Sequence, residues 1–588
     1  MKNPLDTIRH STAHVMANAV KNLFPKTKLG IGPTIEDGFY YDFDSTHRFS
    51  EEDFKKIEGE MFRIKSKKIP FKRLEKPMSE ALNLAKKIDE PYKEEIIRDL
   101  KNQGERKVSF YETGDFADLC RGPHVKNSSE IGEFKLLSVA GAYWKGSEKN
   151  KMLQRIYGTA WPTNGELEKY LVRAEQAKER DHRKIGKEHN LFMISEEVGQ
   201  GLPIWLPNGA AIRRELENFV VELEQKYGYE HVYTPHIGLL DLYKTSGHWQ
   251  HYKNLMYSPV LVESKKYLLR AMNCPHHIVI YKNEPKSYRD LPVRIAEEGT
   301  VYRYEKSGEL AGLSRVRVFT INDAHIFCTR EQIASEVHSV LNLAKTLYRA
   351  VGFAGYRLEL ALRDSEDKEK YVAGEDMWKD VEKSLRDALE KSGEKYDIRI
   401  GEAAFYGPKI DIQAQDVLGR EFTISTIQLD AYLPKRFNLV FVDSKGKKIQ
   451  PFIIHQALIG SFERFFAFLT EHHAGKFPIW LSPVQTTVLP IAERHNDYAK
   501  SISDALTRKK IRAKVNLNND TLQAKIRDAE LRNIPYILVV GDKEKVQKLI
   551  TVRQRDKKDL ETVDLDSFIK KLTETISKEK NEPNRESG

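Results

Sequence analysis

One stretch constrains this chain more than any other. Residues 165–188, GELEKYLVRAEQAKERDHRKIGKE, are rich in helix formers but offer few apolar positions to a core. A helix of that composition reads as a charged, solvated spacer between separately packed bodies. The total length of 588 residues agrees, since one hydrophobic core does not support a chain of that size, and about three or four domains is the expectation. Hydrophobic residues make up 40% and charged residues 31%, the balance of a folded chain and not of a disordered one. No run approaches the roughly 20 apolar residues of a membrane span, and MKNPLDTIRHST lacks the apolar core of a signal peptide. Three cysteines, Cys120, Cys274 and Cys328, exclude a disulfide framework and suit a reducing cytosol. The expected location is therefore cytoplasmic. A net charge of +10 permits a polyanionic partner such as RNA, but spread over so long a chain it singles none out.

The segments on either side of the spacer differ in pattern. Residues 6–24 fit a helix with Asp6 as N-cap and Ile8, Val15, Met16, Val20 and Leu23 at helical spacing. GPTIEDGFYYDFD reads as a turn entering a strand. Beyond the spacer, VRVFTINDAHIF alternates as a strand, and LENFVVELEQKYGYEHVYTP reads as a helix running into a strand. From WLSPVQTTVLPIA onward, four strands (TTVLPIA, IRAKVNL, PYILVVGD, KLITVRQR) alternate with helices at 495–509, 520–532 and 565–576, which predicts a compact α/β domain. The end, SKEKNEPNRESG, is polar and is expected to be disordered.

Chemistry-bearing residues fall in two sets. Near the front, His10 and His14 stand four apart on one helix face, and Cys120 and His124 stand four apart in DLCRGPH. That spacing fits zinc or a metal-free polar cluster equally well. Far downstream, AMNCPHH, NDAHIF and IIHQALIG supply Cys274, His325 and His455, one thiol and two imidazoles suited to tetrahedral zinc with a fourth position open. Arg303 and Arg464 are candidate phosphate binders through their planar guanidinium groups, and Phe319 offers a face on which a base can stack.

Three stretches in order, KYGYEHVYTPHI, RYEKSGELAGLSRVRVFTINDAHIF and LIGSFERFFAFL, resemble motifs 1, 2 and 3 of the class II aminoacyl-tRNA synthetases. With AMNCPHH, SYRDLP, FYGPKIDI and TISTIQLD, and with RHSTAH and DLCRGPH at the front, the chain resembles the bacterial-type threonyl-tRNA synthetases over residues 5–575. Members usually begin with a small ubiquitin-like β-rich (TGS) domain, and here His10 follows almost at once, so a chain without that domain is expected.

The resemblance implies an α+β multidomain fold: an α+β editing domain at 1–160, a helical linker at 161–190, an antiparallel-sheet catalytic domain at 191–481, an α/β anticodon-binding domain at 482–577 and a disordered tail at 578–588. It implies a threonine–tRNA ligase that uses ATP with Mg²⁺, L-threonine and tRNA(Thr), works as a homodimer and edits seryl-tRNA(Thr). Arg303 and Arg464 would be catalytic. Met272, Glu305, Arg315, Phe319, Asp323, Tyr406, Lys409, Gln428 and Ser461 would contact ATP or threonine. Cys274, His325 and His455 would hold one Zn²⁺ per subunit. His10, His14, Lys93, Asp118, Cys120 and His124 would form a metal-free editing site, and Asn519 and Arg553 would read the anticodon. The chain departs from the family pattern at His276 (glycine is usual), at Ile321 and Asn322 (Gln-Asp) and at Thr423 (glutamine), which bears on the finer ATP and threonine contacts. Two other readings remain at this stage. One is a catalytically inactive, synthetase-like RNA-binding regulator, and the other is a class II ligase for proline or serine.

Overall fold

The computed structural model describes residues 4–353, 355–416, 419 and 421–581. Two compact units, Met1–Glu175 and Gln176–Gly588, divide inside the helix Asn164–Arg180. That helix buries only Leu167, as its composition predicts. The second half of the spacer departs from the reading as solvated linker. Helix His182–Glu188, within the second unit, buries His182, Ile185 and Gly186, three positions at i, i+3 and i+4 that form one face toward that unit's core.

In the first unit, helix Pro4–Leu23 buries every residue from Ser11 to Val20. Ser11, Thr12, Ala13, Ala17 and Ala19 are small enough to let it lie close to a sheet on one side and helix Phe54–Ser66 on another. Asp6 sits inside the first turn and is not the N-cap, because the helix already starts at Pro4; its charge still favours the helix N-terminus. The sheet runs in the order Lys28–Leu29, Gly38–Asp44, Met152–Trp161, Glu133–Tyr143, all antiparallel; the turn expected before Gly38–Asp44 is there, and Thr34–Ile35 pairs with Gly38–Phe39 across it as a short hairpin. A second sheet, Lys72–Pro77, Lys107–Thr113 and Phe116–Leu119, packs on helices Met78–Lys87 and Pro91–Asn102.

The second unit is built on eight strands in the order Glu230–His231, Val293–Tyr302, Val318–Cys328, Phe452–Ala457, Glu421–Asp430, Lys409–Gln415, Tyr356–Leu362, Tyr396–Ile400. Pairing is antiparallel except at the two edges. Side-chain alternation sorts its faces. Ala324, Ile326, Ile454, Ile410 and Ile412 enter a core shared with helices Pro207–Lys226, Ile333–Ala350, Glu375–Ser392 and Phe462–His472. The strand expected through Pro235 is shorter than it reads. It ends at His231, because Pro235 has no N–H to give and the Thr234 N–H donates to the Glu297 side chain (2.9 Å).

The last sheet runs Ala513–Val515, Thr486–Pro490, Tyr536–Val540, Leu549–Gln554, Leu560–Asp564. The first three are parallel, and the rest are antiparallel. Helices Asn496–Arg508 and Leu522–Leu531 match the expected positions, whereas strand Leu560–Asp564 and helix Asp542–Gln547 are additional. Helix Leu565–Asn581 continues into the stretch read as a disordered tail from 578. Glu579 accepts the Trp480 N–H and Lys580 pairs with Glu222, which ties its last turn down. The remainder of that tail, 582–588, lies outside the described residues.

Candidate active sites

Register places the downstream ligand set. His325 stands directly opposite His455, His455 opposite Gln428, and Gln428 opposite Lys409, a row across four neighbouring strands. Alternation puts Asp323, His325 and His455 on the face away from the helical core. Cys274 reaches the same point from the first turn of helix Cys274–Lys282. Its sulfur and one ring nitrogen from each histidine all lie within 4.8 Å of one another, and the three residues are buried. His276 is not part of this group: its Nε2 faces Gly238, and its ring lies near Tyr243.

Polar groups behind the rings fix their orientation. His325 Nδ1 lies 2.8 Å from His277 Nδ1, and His277 Nε2 lies 3.2 Å from Glu297. Burial works against the charge on Glu297, but His277, Thr234 and Arg270 outweigh it and hold the carboxyl at about 2. Asp430 accepts from His455 Nε2 at 3.1 Å. Asp323 accepts from Asn273 (3.0 Å), and burial raises its pKa.

The phosphate candidates gather beside this face. The Arg303 guanidinium lies 5.1 Å from the Phe319 ring centroid, and its buried Nε has no hydrogen-bond partner in the protein. Burial lowers the pKa of Arg303, with Arg464 adding to the shift, and burial and Arg315 lower that of Arg464. Three cations crowd together here, with Arg315 paired to Glu305 and Glu309. Ser461 caps helix Phe462–His472, accepting from the Arg464 N–H (3.2 Å), and Arg464 Nε donates to the Ser314 carbonyl (3.2 Å). Glu305, itself buried, holds Arg315 at 2.8 Å. Tyr406 donates to Gln428, and Lys409 pairs with Asp411 at 2.6 Å. Met272 packs against the cluster that contains Cys274. Of the unusual positions, Thr423 bonds Gln413 (3.2 Å), Ile321 bridges to Ser461, and Asn322 turns to the opposite face, toward Glu224 and Glu298.

Sequence reasoning passed over His248. It is buried, with Nε2 3.7 Å from Cys274 Sγ and Nδ1 2.7 Å from Ser246 Oγ; burial, His455 and Arg303 lower its pKa to about 3. The only available signal was the glycine before it, at φ +83°, where the chain turns into the short helix His248–Tyr252.

The front set also converges. His10, His14, Cys120 and His124 each present a ligand atom within 4.8 Å of the others. Cys120 Sγ lies 3.2 Å from His10 Nε2 and 3.3 Å from His124 Nε2, and the remaining nitrogen of His124 lies 3.1 Å from Ser11 Oγ. Burial holds His14 and His124 far below the ordinary histidine range. Beside them runs a buried chain: Lys93 pairs with Asp118 at 2.6 Å and donates to the Tyr41 hydroxyl at 2.9 Å, and Tyr41 donates to Asp118. A cavity of about 770 Å³ opens here, lined by His10, His14, Lys93, Asp118 and Cys120, with Arg73, Lys107 and Arg121 also on its wall. Tyr41 was the residue missed, since one tyrosine in GFYYDFD looks like any other.

Comparison with known proteins matches three parts of the chain. Residues 260–473 match the tRNA synthetase class II core domain (G, H, P, S and T), 485–575 the anticodon binding domain, and 108–157 the threonyl and alanyl tRNA synthetase second additional domain. A threonine–tRNA ligase of Geobacillus kaustophilus is 48% identical over 577 residues, 98% of this chain and 88% of the relative. The chain belongs to the threonyl-tRNA synthetase family. Another threonine–tRNA ligase, from Staphylococcus carnosus, is 48% identical over 99% of this chain and 89% of its own. Among solved structures, the RNA-binding domain of a threonyl-tRNA synthetase from Cryptosporidium parvum aligns with a TM-score of 0.64 at 40% identity, covering 67% of this chain and 98% of that one. A putative threonyl-tRNA synthetase from Aeropyrum pernix gives 0.60 at 28%, covering 69% and 98%.

The synthetase places its anticodon candidates on separate elements. Asn519 is exposed in the loop before helix Leu522–Leu531, and Arg553 sits on strand Leu549–Gln554, paired with Glu530 at 2.9 Å.

Proposed function

We propose that the synthetase joins L-threonine to tRNA(Thr) at the expense of ATP, and that its first unit hydrolyses seryl-tRNA(Thr). The observation that carries this reading is the meeting of Cys274, His325 and His455 on the sheet face that also bears Asp323. A buried thiol and two buried imidazoles whose rings are held by Glu297 through His277 and by Asp430 fit Zn²⁺. When bound, that ion would supply Lewis-acid chemistry to the polar groups of threonine. Asp323 accepts the hydrogen bond of that hydroxyl. Valine has the shape but not the hydroxyl, and a site built around such a bond rejects the analogue by roughly 10⁴–10⁵.

In the activation step, a carboxylate oxygen of threonine bonds to the α-phosphorus of ATP, and the bond to pyrophosphate breaks. Arg303 on the α-phosphate and Arg464 on the γ-phosphate neutralise the charge, with Arg315 assisting, Phe319 beneath the adenine and Mg²⁺ accompanying the nucleotide. The terminal ribose hydroxyl of tRNA then takes the acyl group, and AMP leaves. Asn519 and Arg553 contact the anticodon.

Serine keeps the hydroxyl and lacks one methyl, worth only about 1–3 kcal/mol, so a second sieve is needed. In the first unit, His10, His14, Cys120 and His124 with Lys93, Asp118 and Tyr41 hold a water and the terminal ribose. We read this hydrolysis as metal-free. A zinc content near one atom per chain supports that reading, and a second atom lost in Cys120→Ala reverses it.

The synthetase works as a homodimer in the cytoplasm. Exposed Tyr233, Ile237, Val260, Leu261 and Val262 favour a second copy, and no helix among the described residues is long and apolar enough to cross a membrane. ATP–pyrophosphate exchange across a panel of amino acids tests the whole. Threonine should dominate, serine should register weakly and valine not at all. A preference for proline or serine, or no exchange with any amino acid, overturns the reading.

A further inference from the structure

His182 belongs to the stretch that reads as a spacer, yet it is only 5% exposed. Its two ring nitrogens face different elements. The Leu313 backbone N–H points at Nε2 with a separation of 3.0 Å, and Nδ1 lies 2.6 Å from Glu471 Oε1. An amide N–H only donates, so Nε2 must be the unprotonated nitrogen, and Nδ1 carries the proton that goes to the carboxylate. The backbone N–H of His182 also approaches Glu471 Oε1, at 3.3 Å. The neighbouring residue leaves no slack. Gly312 has φ +52°, and a Cβ there would stand 2.2 Å from His182 Nε2.

These contacts close a circuit. Leu313 and Ser314 form the turn of the long connection between strands Val293–Tyr302 and Val318–Cys328. The Ala311 N–H donates to Arg315 O (3.1 Å) and the Ser314 N–H to Ala311 O (2.9 Å). Ser314 O in turn accepts from Arg464 Nε, and Arg464 and Glu471 lie on one helix, Phe462–His472. That helix therefore grips the turn twice, once through Arg464 and once through Glu471 by way of His182. The side chain of Arg315, the next residue, is held by Glu305 and Glu309.

We propose that His182 is a positioning residue for ATP: its neutral, Nδ1-protonated imidazole locks the Gly312–Arg315 turn at the distance from Arg464 that the nucleotide phosphates require. This inference rests on the proposed ligase activity. It assigns a task in activation to a segment whose composition reads as a tether.

Two substitutions separate the ring nitrogens. His182→Gln puts an acceptor oxygen where Nε2 stands and loses the δ donor, whereas His182→Asn keeps a donor for Glu471 and offers Leu313 nothing. Threonine-dependent ATP–pyrophosphate exchange by the full chain reads the outcome, and exchange by the unsubstituted chain separately tests the parent reading. His182→Asn should raise KM for ATP about tenfold, the effect of one lost hydrogen bond, while KM for threonine moves less than about twofold. His182→Gln keeps the Leu313 bond, and its backbone N–H still reaches Glu471 (3.3 Å), so it should stay within about threefold of the parent on both. Hydrogen–deuterium exchange provides a readout independent of activity: the Leu313 amide should exchange about tenfold faster in His182→Asn and keep its protection in His182→Gln. Equal behaviour of the two variants in both assays, or a loss that falls on threonine instead of ATP, overturns the proposal.

Discussion

Asp118→Asn is the most informative perturbation of the first unit. Asp118 and Lys93 are both almost wholly buried, with side-chain exposures of 2% and 3%, and lie 2.6 Å apart. Removing the carboxylate charge leaves an ammonium ion with no directly paired anion, because the Tyr41 hydroxyl at 2.9 Å is a neutral dipole and the buried Glu90 carboxylate, itself bound to Lys21, acts on Lys93 only through space. Breaking one side of such a pair costs about 3–5 kcal/mol. At roughly 2–4 °C per kcal/mol for a unit of this size, the calorimetric transition of the first unit should fall by about 6–20 °C. The double variant Asp118→Asn/Lys93→Met removes both charges and should recover most of that loss. Its seryl-tRNA(Thr) deacylase activity should stay abolished, since stability and chemistry depend on different properties of the pair. Calorimetry of the full chain, alongside deacylation of seryl-tRNA(Thr), tests both halves. A shift below about 1 kcal/mol in the single variant would refute the burial argument. Recovery of deacylation in the double variant would refute the catalytic one.

Cys274→Ser should lose bound zinc, measured by atomic absorption, and threonine activation with it, whereas His10→Ala should activate threonine normally and accumulate seryl-tRNA(Thr). Equal loss of activation in both would dissolve this division of labour. Asp323→Ala removes a charged acceptor worth about 1.5–3 kcal/mol, so kcat/KM for threonine in pyrophosphate exchange should fall roughly 10–150-fold while that for valine barely changes. His231 carries a pH signature. Burial opposes its charge, but Glu224 and Glu298 outweigh burial and raise it to about 9. A raised pKa contributes stability that is complete below the unfolded value of about 6.5 and lost as pH rises through 9. The melting temperature of the second unit should therefore drop between pH 6.5 and 9.5 in the parent and stay flatter in His231→Gln.

Much of the ligand chemistry was legible in the sequence because residue type and spacing carry it. His10 and His14 on one helix face, and a thiol with two imidazoles, announce themselves. What their spacing does not show is convergence, since Cys274, His325 and His455 meet only through strand register. Residues acting through a backbone partner were harder to see. His182 looked solvated because its neighbours Arg180, Asp181, Arg183 and Lys184 are charged, and only three-dimensional packing shows which side of that helix turns inward. Tyr41 and His248 sit in aromatic and polar surroundings that sequence patterning treats as ordinary core. The Pro235 strand and the last turn of helix Leu565–Asn581 were misjudged for one reason: a hydrogen bond between a side chain and a backbone N–H distant in sequence decided where each element ended.

The pairing of His325 with His455 has a consequence for synthesis of the protein. The two strands touch, yet the chain between them must be made before they can do so. The proposed zinc ligand set would be incomplete on a nascent polypeptide until residue 455 has cleared the ribosome. A slip of one position in that pairing would send one imidazole to the far side of the sheet. Capture of the proposed zinc ion would thus double as an inspection of the finished sheet, and a molecule that had folded out of step would go without it.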